Sequence, residues 1–265
     1  MPQLSWLAFS GNPFSKKLMY NIPLPTINWQ QLLLTEQLGE GASGIISKAI
    51  WQKDNSQQEG VAVKVFKGTV TSDGYPEDEM AACIAAGHHA NLVQVLGKIN
   101  NHPSQKQGLV LGLIPTAFYN LGIPPSFDTC TRDVFTANTH FSTTKILAIA
   151  KAIASVGAHL HSKGIMHGDM YAHNTLVNAQ HATIFGDFGA ASLYDITTIQ
   201  AASLERIEVR AFGCLLDDLL QHNNNNTSIT TKFLNALVEA CLQPLVLLRP
   251  SFNAIVNALN NLIIL

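Results

Sequence analysis

The sequence predicts an α+β protein in which a sheet-rich N-terminal lobe is followed by a helix-rich C-terminal lobe. The first third of the chain contains short runs of valine, isoleucine and leucine between glycine-rich or polar turns, a pattern typical of strands. The rest contains longer runs whose apolar residues recur near the period of an α-helix. A chain of 265 residues is long enough for two such lobes around a shared cleft.

The N-terminal lobe, over residues 29–112, is predicted to be a small sheet with one inserted helix. The preceding residues 1–28 are rich in proline, asparagine and serine and are predicted to be irregular. Pro76 with three acids begins the helix, and Gly87 ends it. The strands are predicted at residues 32–51, as a hairpin, and at residues 61–67, 91–99 and 108–114.

The C-terminal lobe, over residues 113–265, is predicted to be mostly helical. Its longest helix follows the apolar repeat in residues 142–164, with Ser142 or Thr143 as the N-cap and Gly164 at the end. Two short strands are predicted in TLV and ATIF. Further helices are predicted at residues 206–220, 230–242 and 251–264.

Composition excludes several classes of function. A net charge of −2 without a dense basic cluster argues against nucleic-acid binding. No apolar run approaches the length of a membrane span, and the N-terminus does not resemble a signal peptide. Four widely spaced cysteines without a CxxC pair argue against a zinc site or a disulfide framework. We therefore expect reduced thiols and a cytoplasmic location.

A glycine-rich turn lies inside the predicted hairpin. Gly39, Gly41 and Gly44 have the spacing G-x-G-x-x-G, which lets backbone N–H groups approach a phosphate. The alternative is an ordinary hairpin turn. A strand follows the glycines where a dinucleotide site would have a helix, so a nicotinamide cofactor is disfavoured.

Lys64 lies in the middle of a valine-rich strand. It is either a solvent-facing edge residue or a fixed ammonium group for phosphate oxygens. The second interpretation requires a carboxylate partner on the following helix. We favour Glu79 over Glu77, because Glu79 shares a helix face with Cys83 and would point inward.

The segment HGDMYAHN and the later GDFG concentrate polar groups next to apolar strands. Asp169, Asn174 and Asp187 offer hard oxygen ligands, which suit Mg²⁺ carried by nucleotide phosphates. His167 and His173 lack a third nitrogen or sulfur ligand nearby, so zinc is the weaker interpretation. We expect His167 to pack in the core and His173 to face solvent.

The segments LGEGASGIIS, VAVK, HGDMYAHN and DFG, in this order, resemble the eukaryotic-type protein kinase signature set. LRPSF is similar to the arginine-containing motif near the kinase C-terminus. EVRAFGCLL is similar to the helix that anchors the catalytic loop, with Glu208 where the family usually has aspartate. The resemblance covers about residues 31–260 and implies a two-lobed kinase fold that uses ATP and Mg²⁺.

The resemblance also implies a role for each matching residue. Lys64 would bind the α- and β-phosphates and pair with Glu79, and Asp169 would accept or orient the hydroxyl proton of a protein substrate, with serine or threonine favoured. Asp187 and Asn174 would hold Mg²⁺. The implied nucleotide contacts are Leu38, Gly39, Gly41, Ala42, Ser43, Gly44, Ile46, Ala62, Lys64, Leu111, Leu113 and Leu176.

Three features depart from the family pattern. Gly168 stands where the family has an arginine that meets a phosphate on the activation loop. Tyr171 stands where serine/threonine kinases typically have lysine. The segment between Asp187 and Glu208 is short and lacks A-P-E, which leaves Glu205 as the candidate partner of Arg249 in LRPSF.

These departures leave two alternatives to a protein kinase. Small-molecule kinases of the aminoglycoside or choline type also use an HGD loop, but they usually lack DFG and RPSF. A pseudokinase scaffold would have no physical need to retain all of Lys64, Asp169, Asn174 and Asp187.

The N-terminal segment LSWLAFSGNPFS carries a looser resemblance. It is similar to the closing turn of a leucine-rich repeat array, and some kinases carry such repeats in front of the catalytic domain. The alternative is a plain N-terminal tail. One partial repeat cannot form a stable solenoid by itself.

Overall fold

A computed structural model describes residues 4, 6–9, 23–53, 57–68, 75–124, 126, 128–129, 132–225 and 227–262. Within these residues the α+β architecture predicted from the sequence is confirmed, with a six-stranded sheet in the N-terminal lobe and helices in the C-terminal lobe. The candidate repeat-like segment spans residues 4–15, of which residues 5 and 10–15 lie outside the described residues.

The N-terminal sheet has the strand order β1-β5-β6-β4-β3-β2. Strands β2 to β6 are joined by antiparallel pairings, whereas β1 runs parallel to β5 at the edge. The strands are β1 (Thr26–Asn28), β2 (Leu32–Glu40), β3 (Gly44–Gln52), β4 (Gln58–Phe66), β5 (Val95–Asn100) and β6 (Gly108–Gly112).

The two faces of this sheet have different neighbours, because alternate residues of a strand point to opposite sides. Val61 and Val63 of β4 pack into one buried cluster with Ile27. Phe66, on the opposite face, packs with Leu109 against the helix that precedes β5. That second face also carries Lys64, two residues before Phe66, so the strand pattern turns a charged residue toward the interior.

The inserted helix α1 (Pro76–Ala86) has the punctuation that the sequence predicts. Tyr75 is the extended N-cap residue and Pro76 occupies the first turn, where a missing N–H costs nothing. Three acidic residues in that turn favour the positive end of the helix dipole. Gly87 ends the helix with a φ of 63°, a conformation that suits glycine.

The C-terminal lobe is built on the helix α2, which is capped by the Ser142 side chain accepting from the backbone N–H of Lys145. Its apolar face is buried against the other helices in one large cluster. These helices are α2 (Thr143–Ser162), α3 (Ala201–Gln221), α4 (Ile229–Cys241) and α5 (Phe252–Asn260). None of the helices in the described part of the chain is long and apolar enough to cross a membrane.

Five short strands form two small sheets around the polar loops. A three-stranded sheet has the order β10-β9-β7, and β11 pairs with β8. Asn91 ties the first of these sheets to the N-terminal lobe, because its carbonyl accepts from Phe185 at 2.7 Å and its amide donates to the Thr183 carbonyl at 2.8 Å. The strands are β7 (Tyr119–Asn120), β8 (Ile165–Met166), β9 (Thr175–Val177), β10 (Thr183–Phe185) and β11 (Ser192–Leu193).

One prediction about the N-terminal segment is wrong. Residues 26–28 were expected to be irregular, but Thr26–Asn28 forms β1 and pairs in parallel with Lys98–Asn100. Ile27 is buried there, and a Cβ on Gly97 would lie 2.6 Å from its side chain. The strand therefore depends on a close approach to a distant glycine, which local sequence does not reveal.

Candidate active site

Lys64 is placed at the centre of the site by strand register. It lies opposite Ile46 of β3 and Leu109 of β6 and is only 8% exposed. The ammonium group forms an ion pair with Glu79 of α1, which is 2% exposed. The structure thus brings together the two residues that the sequence pairs, with the carboxylate in the first turn of the helix.

Burial and two neighbouring carboxylates determine the protonation state of Lys64. Burial acts to lower its pKa, but the charges of Glu79 and Asp187 outweigh burial, so the pKa is raised above its ordinary value. The ammonium group is therefore charged at neutral pH. The second carboxylate oxygen of Glu79, Oε2, is buried without a hydrogen-bond partner among the described residues.

The glycine-rich turn joins β2 to β3 at the protein surface. A Cβ on Gly39 or Gly41 would meet no atom of the described residues within 4 Å, so this part of the chain leaves open space at both positions. Gly44 differs, because its Cβ would lie 2.7 Å from the Val65 carbonyl oxygen. The turn is held by the Lys67 ammonium, which donates to the Gly41 carbonyl at 3.0 Å. Of the other predicted positions in this turn, Leu38 and Ala42 are exposed and Ser43 is buried.

The apolar residues predicted to contact a base lie in both lobes. Cross-strand register places Ile46 next to Lys64, and Ala62 opposite Leu111, all on one face of the sheet. Leu113 follows β6. The remaining position, Leu176, belongs to β9 of the C-terminal lobe and pairs with Asn120.

Asp169 is oriented by Asn174 within one polar loop. The Asn174 side-chain amide donates to Asp169 Oδ2 at 2.8 Å and to the Asp169 carbonyl at 3.0 Å. The short 3₁₀ helix Ala172–Asn174 produces this geometry by folding the loop back on itself. The Asp169 side chain remains 35% exposed, so its carboxylate is both fixed and accessible.

The two histidines of this loop have different environments. His167 is fully buried, as expected, with Nε2 3.1 Å from the Gly186 carbonyl and its ring against Phe185 and Phe188. The expectation that His173 faces solvent is wrong, because its side chain is only 17% exposed. Burial lowers the pKa of His173, and the charges of Asp169 and Asp187 both oppose that shift. The charges of Asp169 and Asp187 therefore both reach the His173 ring.

Glu208 of α3 anchors the loop from below. Its carboxylate accepts from the backbone N–H groups of His167 at 3.1 Å and Gly168 at 2.7 Å, and it contacts His161 Nε2 at 2.8 Å. Burial acts to raise the pKa of Glu208, but these hydrogen bonds and the nearby imidazoles lower it overall. Glu208, at the position where the family usually has aspartate, thus binds the backbone of the catalytic loop directly from α3.

Asp187 follows β10 and is exposed, with a φ of 60° that is unusual outside glycine. Its Oδ1 accepts from the Gly189 N–H at 3.2 Å. Asn174 uses its amide nitrogen toward Asp169, so its side-chain oxygen is the atom that would face a metal ion. These hard donors fit Mg²⁺, which keeps water and phosphate ligands and needs few protein ligands. The described residues contain no cluster of three His, Cys, Asp or Glu side chains that could hold a metal alone.

A set of residues next to the loop was missed by the sequence interpretation. Asp133 Oδ1 accepts from the backbone N–H of Ala172 at 2.5 Å. Arg132 binds Asp218 of α3 through Nε at 2.8 Å and also pairs with Asp217. The connection that carries these residues has no helical or strand periodicity, so nothing local marks it.

Glu205 and Arg249, which the sequence suggests as partners, form the following contacts with other groups. Glu205 pairs with Arg206 and accepts from the Phe252 N–H at 2.8 Å. Arg249 is 1% exposed and donates to the carbonyl groups of Gln243 at 2.8 Å and Arg206 at 2.9 Å. Both residues thus fasten the start of α5 to α3.

Comparison with known proteins points in the same direction as this geometry. Residues 32–217, more than half of the chain, match the family described as protein tyrosine and serine/threonine kinase. Tyrosine-protein kinase receptor TYRO3 of Danio rerio is 26% identical over 185 residues, or 68% of this chain. The probable serine/threonine-protein kinase gdt4 of Dictyostelium discoideum is 26% identical over 57% of this chain. The angiopoietin-1 receptor of Danio rerio is 26% identical over 64%.

These relatives are much longer than the region they share with this chain. The chain spans 21% of TYRO3, 8% of gdt4 and 15% of the angiopoietin-1 receptor. The family match over residues 32–217 contains the glycine-rich turn, the buried ion pair and the polar loops. The similarity therefore concerns the site described above.

Proposed function

Because the chain belongs to the protein tyrosine and serine/threonine kinase family, we propose that it transfers the γ-phosphate of ATP to a protein hydroxyl, with serine or threonine as the favoured acceptor. The observation that carries this proposal is the buried Lys64–Glu79 ion pair within the field of Asp187. A charged ammonium group in a cleft is costly unless it is paired, and its chemistry suits phosphate oxygens.

ATP binds between the lobes in this proposal, with residues 29–112 above and 113–265 below. The apolar side chains of Ile46, Ala62 and Leu176 enclose the base, while backbone groups at Leu111 and Leu113 supply its hydrogen bonds. The open space at Gly39 and Gly41 supports a backbone that covers the phosphates.

When bound, Mg²⁺ would supply positive charge that neutralises the phosphates. Asp187 and Asn174 are the residues that would hold it. Their donor atoms are a carboxylate and an amide oxygen, both hard ligands, which supports magnesium over zinc. The positive charge of Lys64, which lies within the field of Asp187, supports phosphate binding at the same place.

Asp169 orients the acceptor and receives its proton. The acceptor hydroxyl oxygen forms a bond to the γ-phosphorus, the bond from that phosphorus to the β–γ bridging oxygen breaks, and ADP leaves. The hydroxyl proton passes to the Asp169 carboxylate, which Asn174 keeps in place through its amide at 2.8 Å. Positioning and charge neutralisation supply most of the rate enhancement in such a reaction.

The test is phosphate transfer from γ-labelled ATP with Mg²⁺, comparing the unaltered protein with Asp169→Asn. The acceptors are mixed proteins, a panel of serine, threonine and tyrosine peptides, and a panel of aminoglycosides and cholines. We expect label on protein that falls by about 100-fold or more in the variant, the size of effect of removing a positioned base. Nucleotide binding should be retained in Asp169→Asn.

Other outcomes would change the proposal in defined ways. Label on phosphotyrosine alone would replace the favoured acceptor, and label only on a small molecule would replace the protein substrate. An unaltered protein that binds ATP but labels nothing would indicate a scaffold.

We also propose that the reaction takes place in a reducing compartment such as the cytoplasm. Cys83 and Cys241 are present as thiols, and burial raises the pKa of both. Buried protonated thiols of this kind are typical of chains that form no disulfides.

A further inference from the structure

A segment near the N-terminus packs against the catalytic loop. The Trp6 ring stacks on Tyr171 with ring centroids 4.6 Å apart and planes 9° apart. The backbone N–H of Phe9 donates to Ser192 Oγ at 2.9 Å, on the segment that follows Asp187. We call Trp6–Phe9 the docking strap, since it contacts two segments of the site that are separate in sequence.

Gly168 explains why the strap can approach so closely. Its φ is 81°, and a Cβ at this position would lie 2.5 Å from the Ala190 carbonyl oxygen and 2.9 Å from the Leu7 carbonyl oxygen. Any side chain there would collide with both backbones. The residue immediately before Asp169 therefore has to be glycine for the strap and the activation segment to meet at the catalytic loop.

The strap lies beside the catalytic carboxylate and does not cover it. Tyr171, under the strap, is only 5% exposed, whereas the Asp169 side chain is 35% exposed. An inhibitory segment would bury the acceptor side of Asp169. The geometry instead braces the loop through Tyr171 and leaves the Asp169 carboxylate accessible.

We propose that the docking strap is a positioning element that holds the catalytic loop and the short activation segment in the geometry for transfer. Trp6 is its anchor, and Gly168 is the residue that admits it. The kinetic part of this proposal rests on the proposed kinase function. Its structural part, restraint of two loops by the strap, does not.

The kinetic test uses Trp6→Ala and Trp6→Phe in the full chain. Phenylalanine keeps a ring on Tyr171 and removes the indole N–H, which is buried without a hydrogen-bond partner among the described residues. We expect Trp6→Ala to lower kcat about 10-fold, in line with the energy of an aromatic pair, with the KM for ATP within about 2-fold. Trp6→Phe should restore most of the lost kcat. Leu247→Ala, an exposed apolar residue away from the site, is the control for truncation.

The second test is amide hydrogen exchange, which needs no activity. Trp6→Ala should speed exchange about 5-fold or more in residues 168–173 and 190–193 and leave helix α4 unchanged, as local opening of a braced loop predicts. Unchanged exchange in these loops overturns the proposal, whatever the kinetics. So does an equal loss of kcat in both Trp6 variants. If the unaltered protein transfers no phosphate, the proposed function fails and the exchange result alone decides on the strap.

Discussion

Two carboxylates, the buried Glu208 and the half-buried Asp133, fix the backbone of the catalytic loop. Glu208 holds the N–H groups of His167 and Gly168, and Asp133 holds the N–H of Ala172. Each side chain satisfies a backbone donor that would otherwise be buried without a partner, at a cost of about 1–3 kcal/mol. The position of the loop therefore depends on acids that take no part in the chemistry.

Asp133 makes stability depend on pH. Burial raises its pKa to about 7 from 3.8, the charges of Asp218 and Asp169 act in the same direction, and the Ala172 N–H and Arg132 oppose the shift. The folded state thus binds a proton more tightly than the unfolded state. Between about pH 4 and pH 7 stability falls as pH rises, by up to about 1.4 kcal/mol per pH unit from this group.

We expect Asp133→Asn to remove that slope and to be more stable than the unaltered protein at pH 8. The amide oxygen can still accept from Ala172 without carrying a charge. Urea unfolding between pH 4 and pH 8 measures the difference. Asp133→Ala is the control, since it also removes the slope but should be less stable than Asp133→Asn at every pH, by about 1–3 kcal/mol, through the lost acceptor. Parallel pH profiles for the unaltered protein and Asp133→Asn would contradict the assignment.

Among the helices, α2 and α5 touch at a position that only glycine can occupy. A Cβ on Gly157 of α2 would lie 2.5 Å from the ring of Phe252, which is fully buried. Glycine in the middle of a helix costs about 1 kcal/mol relative to alanine. The contact with Phe252 outweighs that cost.

Gly157→Ala should therefore destabilise the protein by about 1–3 kcal/mol, the usual effect of overpacking, although alanine favours the helix. Unfolding by urea measures the change. Phe252→Leu should lose stability alone, but combined with Gly157→Ala it should recover part of it, because leucine lacks the ring atoms that collide. Additive losses in the double variant would show that the two side chains do not meet.

Elements differ in how far the sequence predicts them. The helices α1 to α5 and the longer strands were predicted because periodicity, caps and turns act within a few residues. The strands β1, β7, β8 and β11 have only two or three residues each and exist through distant partners. The pairing of Lys64 with Glu79 was also predicted, because it follows from the local patterns of one strand and the next helix. The contacts of Asp133 with Ala172 and of Trp6 with Tyr171 join segments too far apart in sequence for such patterns.

At the scale of the whole molecule, the site draws its charges from both lobes. Lys64 and Glu79 belong to the N-terminal sheet and its helix, whereas Asp187, after β10, and Asn174, just before β9, belong to the C-terminal lobe. The charge of Asp187 contributes to the raised pKa of Lys64, so the lobes are close enough to interact electrostatically. Any ligand that bridges these groups will couple the lobes.

A double-mutant cycle on binding of ATP with Mg²⁺ tests that coupling. Lys64→Met should weaken binding with or without Mg²⁺, because it removes the cation for the phosphates. Asp187→Asn should abolish the dependence of ATP binding on Mg²⁺, because it removes the carboxylate ligand. If both groups act on one set of phosphates, their effects should be non-additive by about 1 kcal/mol, within the range for groups that share a partner.

Isothermal titration with ATP, in the presence and absence of Mg²⁺, gives the four binding free energies of this cycle. Lys98→Met is the matched control, since Lys98 is an exposed lysine on β5 of the same sheet and should leave binding unchanged. Effects of Lys64→Met and Asp187→Asn that add to within about 0.3 kcal/mol would place the two groups at independent sites. Non-additivity would mean that Mg²⁺–ATP is held by charges from both lobes at once, so that closing the cleft and assembling the site are one event.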